Sequence, residues 1–595
     1  MKTHKVLAAG VILAGLLLTL STPPKMAAQD SAEAQQADLG QNQPGQNQQD
    51  QDQQGQAQQN QDQQSQGQQD LGQQDQDQAQ DPPGRVGRLD FTSGSISFQP
   101  GGQGDWVAAV VNRPLTTGDN LWADKDSRAE LQIGSTSIRM NSETSVTLLD
   151  IDDVNTQVRL SMGTMIVRVR HLDDEDHFEI DTPNLAFVVQ RPGEYRLDVN
   201  ADGTQTEATV WHGRGEVTGG GASYVVVAGQ EASFAGTDQL DHQINQVPAN
   251  DDFDAWAFDR DQHEDSAESS NYISTEMTGY QDLDEYGKWS YEGDYGPVWA
   301  PAAVPYGWAP YRFGHWVFVA PWGWTWVENE PWGFAPFHYG RWAFIGASWF
   351  WVPGPVVVRP VFAPALVAFV GGGGFGLGVG FGAGVAWFPL GPREVFVPWY
   401  HTSRVYVNNV NITNTHINVT EVTRLYNTNV RVNYVNQHVA NGVTAVSRDT
   451  FVNARAVNSN LAHVDAKQLA EAPVSRSLPV PPEKASVLGA GRPASVKPPA
   501  AIENRQVVAV HTPSTRSGSF ARNAVNIRTE TVTGRPVPPA SANEPGHSLV
   551  RPAPPVQENP QRQQSEQQKF SRWQQQRPNP APRSGPPPKT EKRNR

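Results

Sequence analysis

A tryptophan-rich segment, from about residue 295 to 353, constrains the fold of this chain more than any other feature. It contains more than half of the tryptophans in the sequence. The heptapeptide that begins at Pro305 returns 26 residues later at Pro331, and a Trp-x-Trp-Val motif follows each copy. Because repeats of this length are typical of supersecondary units that pack on their neighbours, the segment predicts successive β-hairpins.

The aromatic rings of this repeat allow two interpretations. Proline and glycine favour turns, and alternating aromatic residues place large rings on one face of a strand. The rings either pack together as a small core or form an exposed platform for sugar rings or proline-rich peptides. We expect packing to dominate, with binding left to any exposed subset. The candidate binding surface is Trp299, Trp308, Trp316, Trp324, Trp332 and Trp342.

The polar positions of the repeat do not keep one residue type. His315 in the first copy corresponds to Arg341 in the second, and Arg312 corresponds to His338. A repeated metal site would need the same ligand type in both copies. We therefore expect no imidazole metal site here.

The two ends of the chain have compositions that predict disorder. Residues 29–84 are mostly Gln, Asp, Asn and Gly, and residues 458–595 are rich in Pro, Gln and Arg. Such segments bury too little apolar surface to offset the entropy of ordering the chain. From residue 466 onward there are 20 Lys and Arg against 8 Asp and Glu, whereas the whole chain has a net charge of −16. The basic tail suits contact with anionic polymers, and the acidic remainder argues against a specific nucleic-acid partner.

The first 28 residues predict a secretory signal peptide. Lys2 and Lys5 precede an apolar run over residues 6–20, and Ala27-Ala28 offers small residues for cleavage. The run is short for a membrane span, although an uncleaved anchor is the alternative. We expect an exported protein with no transmembrane span after cleavage. The absence of cysteine excludes disulfides, thiolate metal sites and a lipid-anchored N-terminal cysteine.

Residues 85–235 predict an all-β domain. Short apolar alternations, such as residues 129–133 and 195–199, are separated by Gly, Asp and Asn. The region contains the motifs Gly87-Arg88-Leu89, Gly118-Asp119-Asn120-Leu121, Ser127-Arg128-Ala129-Glu130-Leu131 and Gly193-Glu194-Tyr195-Arg196. With these motifs in this order, the region resembles the periplasmic domain of FecR.

The resemblance implies a β fold and a setting outside the cytoplasm, in the periplasm or at the cell surface of a Gram-negative bacterium. FecR itself senses an outer-membrane receptor and signals to a sigma factor through a membrane span. Only five residues precede the apolar run of this chain. We therefore expect the fold to carry over, and not the signalling.

The rest of the chain divides into four predicted segments. An acidic connector with a short helix covers residues 236–290, and the tryptophan-rich repeat module, including a Gly-rich loop, covers 291–400. Residues 401–457 alternate Val or Ile with Asn and Thr, which predicts strands. The disordered tail covers 458–595. The region from about 85 to 455 also resembles a bacterial family of unknown function with Y-x-W-x-P repeats, whose members often carry a FecR-like domain.

Three short motifs could hold chemistry, and each has a simpler structural explanation. Residues 171–177 offer His, Asp and Glu ligands but lack the glycine spacing of a calcium loop, so an acidic hairpin connection is expected. Gly371, Gly373 and Gly376 fit G-x-G-x-x-G without a suitable helix to follow. Glu328 and Glu330 could do acid–base work, but beside Asn and Pro they indicate a turn. We predict no catalytic residues, cofactor or metal.

Together these observations predict a mainly β, exported, non-enzymatic binding or scaffolding protein of the cell envelope. Its partner would be an envelope polysaccharide or another envelope protein. A glycan-binding protein that uses exposed tryptophans is the alternative, and a FecR-type signalling relay is a third hypothesis.

Overall fold

The structure, a computed structural model, describes residues 81–371, 384–427, 432–513 and 549–553. The predicted signal peptide, nearly all of the Gln-rich linker, the Gly-rich loop and most of the basic tail lie outside these residues. The described part is mainly β, as predicted.

Fifteen strands form the first domain, which we call the N-terminal β domain. They belong to one hydrogen-bonded network with mostly antiparallel pairs. The strands are β1 Gly87–Ser93, β2 Ile96–Gln99, β3 Val107–Ala108, β4 Pro114–Leu115, β5 Asn120–Ala123, β6 Arg128–Ile133, β7 Thr136–Met140, β8 Thr144–Ile151, β9 Asn155–Val169, β10 His177–Asp181, β11 Ala186–Val199, β12 Gln205–Gly219, β13 Ala222–Val227, β14 Gln230–Ala235 and β15 Asp241–Gln246.

The long strand β9 joins the two halves of this domain. Its first half pairs with β8 and, in parallel, with β10, whereas its second half pairs with β7 and β11. Gly163 lies between the halves at φ +99°, and a Cβ atom there would lie 2.5 Å from the Cα of Thr144. Only glycine fits this close approach. Alternating Val, Ile and Leu side chains fill the interior.

One helix, α1 (Asp252–Asp265), follows the domain. Asp251 caps it by accepting from the amides of Phe253 and Asp254, and Phe253 and Ala257 are buried beside Ile166 of β9. The predicted connector is therefore shorter than residues 236–290, because β15 still belongs to the sheet.

The second part, residues 283–480, is called the tryptophan module. It has small sheets in the orders β16-β17-β21-β20, β18-β19 and β24-β23-β22-β25. Its elements are α2 Leu283–Tyr286, β16 Gly287–Glu292, β17 Gly296–Pro301, β18 Gly314–Val319, β19 Gly323–Glu328, α3 Ala335–His338, β20 Arg341–Ile345, β21 Ser348–Val352, β22 Val367–Val370, β23 Gly384–Pro389, α4 Arg404–Asn414, α5 Val419–Asn427, β24 Thr444–Ser447, α6 Arg448–Val452, α7 Ala466–Glu471 and β25 Val474–Ser475. Short 3-10 turns lie at Glu268–Asn271 and Asn436–His438.

The prediction of strands over residues 401–457 is wrong for most of the segment, which forms α4 and α5. Val407, Val410, Asn411 and Asn414 recur at helical spacing and are all buried. The amides of Asn411 and Asn414 donate to main-chain carbonyls of residues 361–410. The hydrogen bonds of these buried asparagines stabilise the helix by more than the β-branched residues favour a strand.

The predicted boundary of the tail, at residue 458, is also too early. Residues 458–513 follow a defined path that includes α7, β25, α8 (Lys484–Leu488), α9 (Ala500–Glu503) and β26 (Val507–Ala509), and β26 pairs in parallel with β27 (Val550–Pro552). This part folds because its main chain bonds first to the tryptophan module, through β25 and β22, and from Val487 onward to the N-terminal β domain, which compensates for its low apolar content.

Candidate functional site

Three β-hairpins of one design form the centre of the tryptophan module. Each pairs two tryptophans directly across its strands: Trp289 with Trp299, Trp316 with Trp326, and Trp342 with Trp351. The hairpins β18–β19 and β20–β21 are the two copies of the sequence repeat. The hairpin β16–β17 precedes that repeat, and its sequence signal is a pair of tryptophans ten residues apart, the spacing also found in β18–β19.

A glycine lies against the second tryptophan of every hairpin. The pairs are Gly287 with Trp299, Gly314 with Trp326 and Gly340 with Trp351. A Cβ atom on these glycines would lie 2.1, 2.7 and 2.4 Å from the respective indole ring. The repeat requires glycine at this position because the ring covers the main chain of the opposite strand.

The indole N–H groups bond to main-chain carbonyls of the short helices and turns. Trp299 donates to the carbonyl of Leu283 at 2.9 Å, Trp342 to Pro336 at 2.9 Å, and Trp351 to Tyr339 at 2.8 Å. These bonds connect the indole rings to the main chain of α2, of α3 and of the residue that follows α3. The tryptophans therefore orient the hairpins as well as filling the core.

The six tryptophans of the candidate binding surface are buried, so the prediction of an exposed aromatic surface from these residues is wrong. None is more than 7 % exposed. They contact one another: the ring centroid of Trp332 lies 5.1 Å from that of Trp299 and 5.9 Å from that of Trp308, which is 5.5 Å from Trp342. Burying such large rings stabilises the fold, and the buried rings cannot contact a ligand.

Other aromatic rings of the hairpins do reach the solvent. Tyr306 in the first turn of the repeat is fully exposed, and Tyr291 on β16 is 77 % exposed. Neither tyrosine belongs to one of the pairs in which a tryptophan ring packs on a glycine.

The polar positions of the repeat serve the structure. Arg312 donates to the carbonyls of Gly307 and Asn441, and a ring nitrogen of His338 lies 2.8 Å from the carbonyl of Ala363. Burial lowers the pKa of His315 to about 4 and that of His338 to about 3. Both histidines are therefore neutral near pH 7.

The other two motifs within the described residues also make structural contacts. In residues 171–177, Asp173 and Asp176 form ion pairs with Arg359 of the tryptophan module. Across the described residues, no group of three or more His, Asp or Glu side chains is arranged to hold a metal ion. Glu328 is buried, accepts from the indole of Trp326, and has its pKa raised well above the usual range by burial. The G-x-G-x-x-G motif lies almost wholly outside the described residues.

A cluster of buried charges joins the N-terminal β domain to α1 and to the tryptophan module; we call it the ion-pair seam. Its members are Arg88, Asp90, Glu130, Arg139, Arg170, Arg260, Asp261, Glu264 and Asp282. Arg139 bonds to Glu130 at 2.5 Å, to Asp261 at 2.9 Å and to Glu264 at 3.0 Å. Arg88 pairs with Asp282 at 2.5 Å and donates to the carbonyl of Pro331 at 2.8 Å.

The seam holds more carboxylates than its arginines fully neutralise. Arg139 and Arg260 overcome the effect of burial and lower the pKa of Glu130. Burial and the charge of Glu130 raise the pKa of Glu264 to about 7, and burial with the neighbouring Asp261 raises that of Glu194 to about 8. A buried carboxyl near like charges holds its proton more tightly, so the seam contains protons near neutral pH.

Comparison with known families agrees with these two parts. Residues 119–215, within the N-terminal β domain, match the family described as FecR protein. Residues 280–394, which include all three hairpins, match a family of unknown function (DUF6600). The chain thus contains one region that matches the FecR family and a second region that matches a family of unknown function. FecR-like proteins are associated with the cell envelope. The Y-x-W-x-P description of the second family stays a prediction.

Comparison with individual proteins adds little. None of the curated proteins compared with this chain matches it. Two crystal structures of a candidate anti-sigma factor from Parabacteroides distasonis align with 12 % and 11 % identity and a TM-score of 0.20. The alignment covers 22 % of this chain and 60 % of theirs. No helix among the described residues is long and apolar enough to cross a membrane.

Proposed function

We propose that this protein is an exported, non-enzymatic scaffold of the cell envelope, in which two β modules form one rigid body. The observation that carries the proposal is the ion-pair seam. A buried charge left without its partner costs about 3–5 kcal/mol, so the seam favours the one arrangement of the modules in which its charges are paired. A rigid joint between two different surfaces suits a protein that holds partners in a fixed arrangement.

The distribution of charge supports a role at the envelope. The sequence from residue 466 onward has a net charge of +12, and the rest of the chain is strongly acidic. Anionic envelope polymers would attract the first and repel the second. The partner in this proposal is therefore an envelope polysaccharide, or an envelope protein bound to it.

Glycan binding by the hairpins is the second candidate, and the structure changes the residues on which it depends. The six tryptophans are in the core, whereas Tyr291 and Tyr306 present exposed rings. Exposed flat rings are what a sugar platform needs. The candidate now rests on these two tyrosines.

Two experiments test the proposal. A reporter that is active only outside the cytoplasm, fused after residue 28, should be active; an inactive fusion would contradict export. The full chain should also sediment with purified peptidoglycan at low salt and be released at high salt, because screening weakens contacts between exposed charges.

A matched variant separates the two candidates. Tyr306→Ser should leave sedimentation unchanged if the charged tail makes the contact. If Tyr306→Ser abolishes retention while the salt dependence is weak, the glycan platform is supported instead. A chain that is retained by no envelope fraction and cross-links to no envelope protein in cells would contradict both.

A further inference from the structure

Residues 487–511, which we call the strap, return from the tryptophan module and run along the N-terminal β domain. Four side chains of that domain donate to main-chain carbonyls of the strap, and all four are buried. The bonds run from Arg113 to Val487 (2.7 Å), from Ser97 to Val496 (2.6 Å), from Arg159 to Glu503 (3.2 Å) and from Gln157 to His511 (2.9 Å).

Main-chain groups of the domain also pair with the strap. The amide of Ala108 donates to the carbonyl of Arg492 at 2.8 Å, and the amide of Ala494 donates to the carbonyl of Trp106 at 3.0 Å. Near the other end, the amide of Val508 donates to the carbonyl of Thr182 at 2.9 Å. These bonds are those by which an extended peptide adds to the edge of a sheet.

The side chains of the strap contact the domain mainly near its end, where residues 507–509 are fully buried. Arg505 donates to the carbonyls of Ser161 and Ala201, and a ring nitrogen of His511 lies 2.5 Å from the carboxylate of Glu179. Recognition thus combines the main chain of the strap with a short apolar stretch and two basic side chains beside it.

The donors of the domain need an acceptor at these positions. Burial lowers the pKa of Arg113 and of Arg159 to about 10, with only one carboxylate, Asp119 or Glu503, opposing the shift in each case. Both guanidinium groups are buried with the strap in place, and a buried guanidinium without acceptors is costly, so a segment that replaces the strap must also supply main-chain carbonyls here.

We infer that this surface of the N-terminal β domain is a peptide-binding groove, which the strap occupies until an extended segment of a partner protein displaces it. The inference rests on the proposed binding function and names its partner class: a polypeptide with an extended stretch that contains two or three small apolar residues. Because the strap is part of the same chain, its effective concentration is on the order of millimolar, and a free peptide competes poorly.

The test uses the full chain and a fluorescent peptide with the sequence of residues 491–511. In the variant Val507→Asp/Val508→Asp, two carboxylates would have to be buried, so the strap should dissociate. Fluorescence anisotropy should show that this variant binds the peptide at least tenfold more tightly than the unmodified chain. The matched control Val510→Asp places the charge at an exposed neighbouring position and should bind like the unmodified chain.

A second substitution tests the groove itself. Arg159→Met, added to the double variant, removes the donor to the strap carbonyls and should weaken peptide binding at least fivefold. Hydrogen exchange of residues 491–511 reports whether the strap has been released. A released strap without peptide binding, a strap that stays protected in the double variant, or peptide binding unaffected by Arg159→Met would each overturn the inference.

This experiment uses purified protein and is independent of export or polysaccharide binding. If peptide binding fails while the chain still sediments with peptidoglycan, the scaffold proposal stands without the groove. If the export reporter is inactive while the peptide binds, the groove stands without the envelope function.

Discussion

The N-terminal β domain and the tryptophan module are both built from hairpins, but they are stabilised differently. The first has one network of fifteen strands around an interior of mainly Val, Ile and Leu. The second has sheets of two to four strands around a core with eleven buried tryptophans. In the first, neighbouring strands satisfy the main chain. In the second, indole N–H groups also bond to main-chain carbonyls outside the sheets. Packing of large aromatic rings can thus stabilise a module that has only short sheets.

The largest expected effect comes from removing a ring of the tryptophan module. Trp351→Ala loses the ring that covers Gly340 and the bond to the carbonyl of Tyr339, and should lower the free energy of unfolding by about 3–5 kcal/mol. Urea unfolding of the module, followed by fluorescence, measures this loss. Tyr306→Ala, at an exposed ring, should change stability by less than about 0.5 kcal/mol. Equal effects of the two variants would contradict the account of the core.

The next variant tests whether the two parts unfold together. Arg88→Met leaves Asp90 and Asp282 without this cation and removes the bond to the carbonyl of Pro331 in the tryptophan module, and should cost about 3–5 kcal/mol. The exposed Arg191, changed to Met, is the control. If urea titrations show one shared transition in the unmodified chain and two in Arg88→Met, the seam joins the modules. A single unshifted transition would show that it does not.

Two glycines of one hairpin offer a smaller and more specific comparison. Gly340 and Gly346 both have positive φ, at +68° and +55°, but a Cβ atom on Gly346 would meet no neighbour within 4 Å. Gly346→Ala should cost about 1 kcal/mol from its backbone conformation alone. Gly340→Ala must also move the ring of Trp351, and should cost roughly 1–3 kcal/mol more. Similar losses of thermal stability in both would argue against crowding by the ring.

The smallest expected effect depends on pH. The pKa of Glu194 is raised to about 8 in the folded chain, so the folded state holds this proton more tightly than the unfolded state does. Its contribution to stability is then lost as pH rises from about 4.5 to about 8. Glu194→Gln keeps a donor toward Asp261 without the charge. It should match the unmodified chain near pH 4.5 and be more stable at pH 8.5. The same difference in stability at both pH values would exclude this titration.

The sequence predicts the repeat and the β domain because both leave a pattern in the side chains. The 26-residue period identifies β18–β19 and β20–β21, and alternation identifies the strands of the first domain. The 26-residue period does not identify the first hairpin, β16–β17, because the residues next to Trp289 and Trp299 in the sequence differ from those next to the other tryptophan pairs. Only the glycine before each first tryptophan and the spacing of the pairs relate it to the others.

The remaining differences arise where tertiary contacts decide the structure. The alternation of Val and Asn in residues 405–412 fits both a strand and a helix, and the buried partners of Asn411 and Asn414 select the helix. The strap bonds through its main chain, so a composition rich in proline and polar residues does not reveal it. Whether a tryptophan is buried depends on the stacking of the hairpins, which the period alone does not specify.

The central claim is that the tryptophans of the repeat form a core and not a binding surface. Incorporation of 5-fluorotryptophan into the full chain, with each signal assigned by a single Trp→Phe variant, tests it directly by fluorine NMR in H₂O and D₂O. If these rings form the core, no solvent isotope shift is expected for Trp299, Trp308, Trp316, Trp324, Trp332 and Trp342. A full shift at two or more of these residues would contradict it and restore the exposed platform.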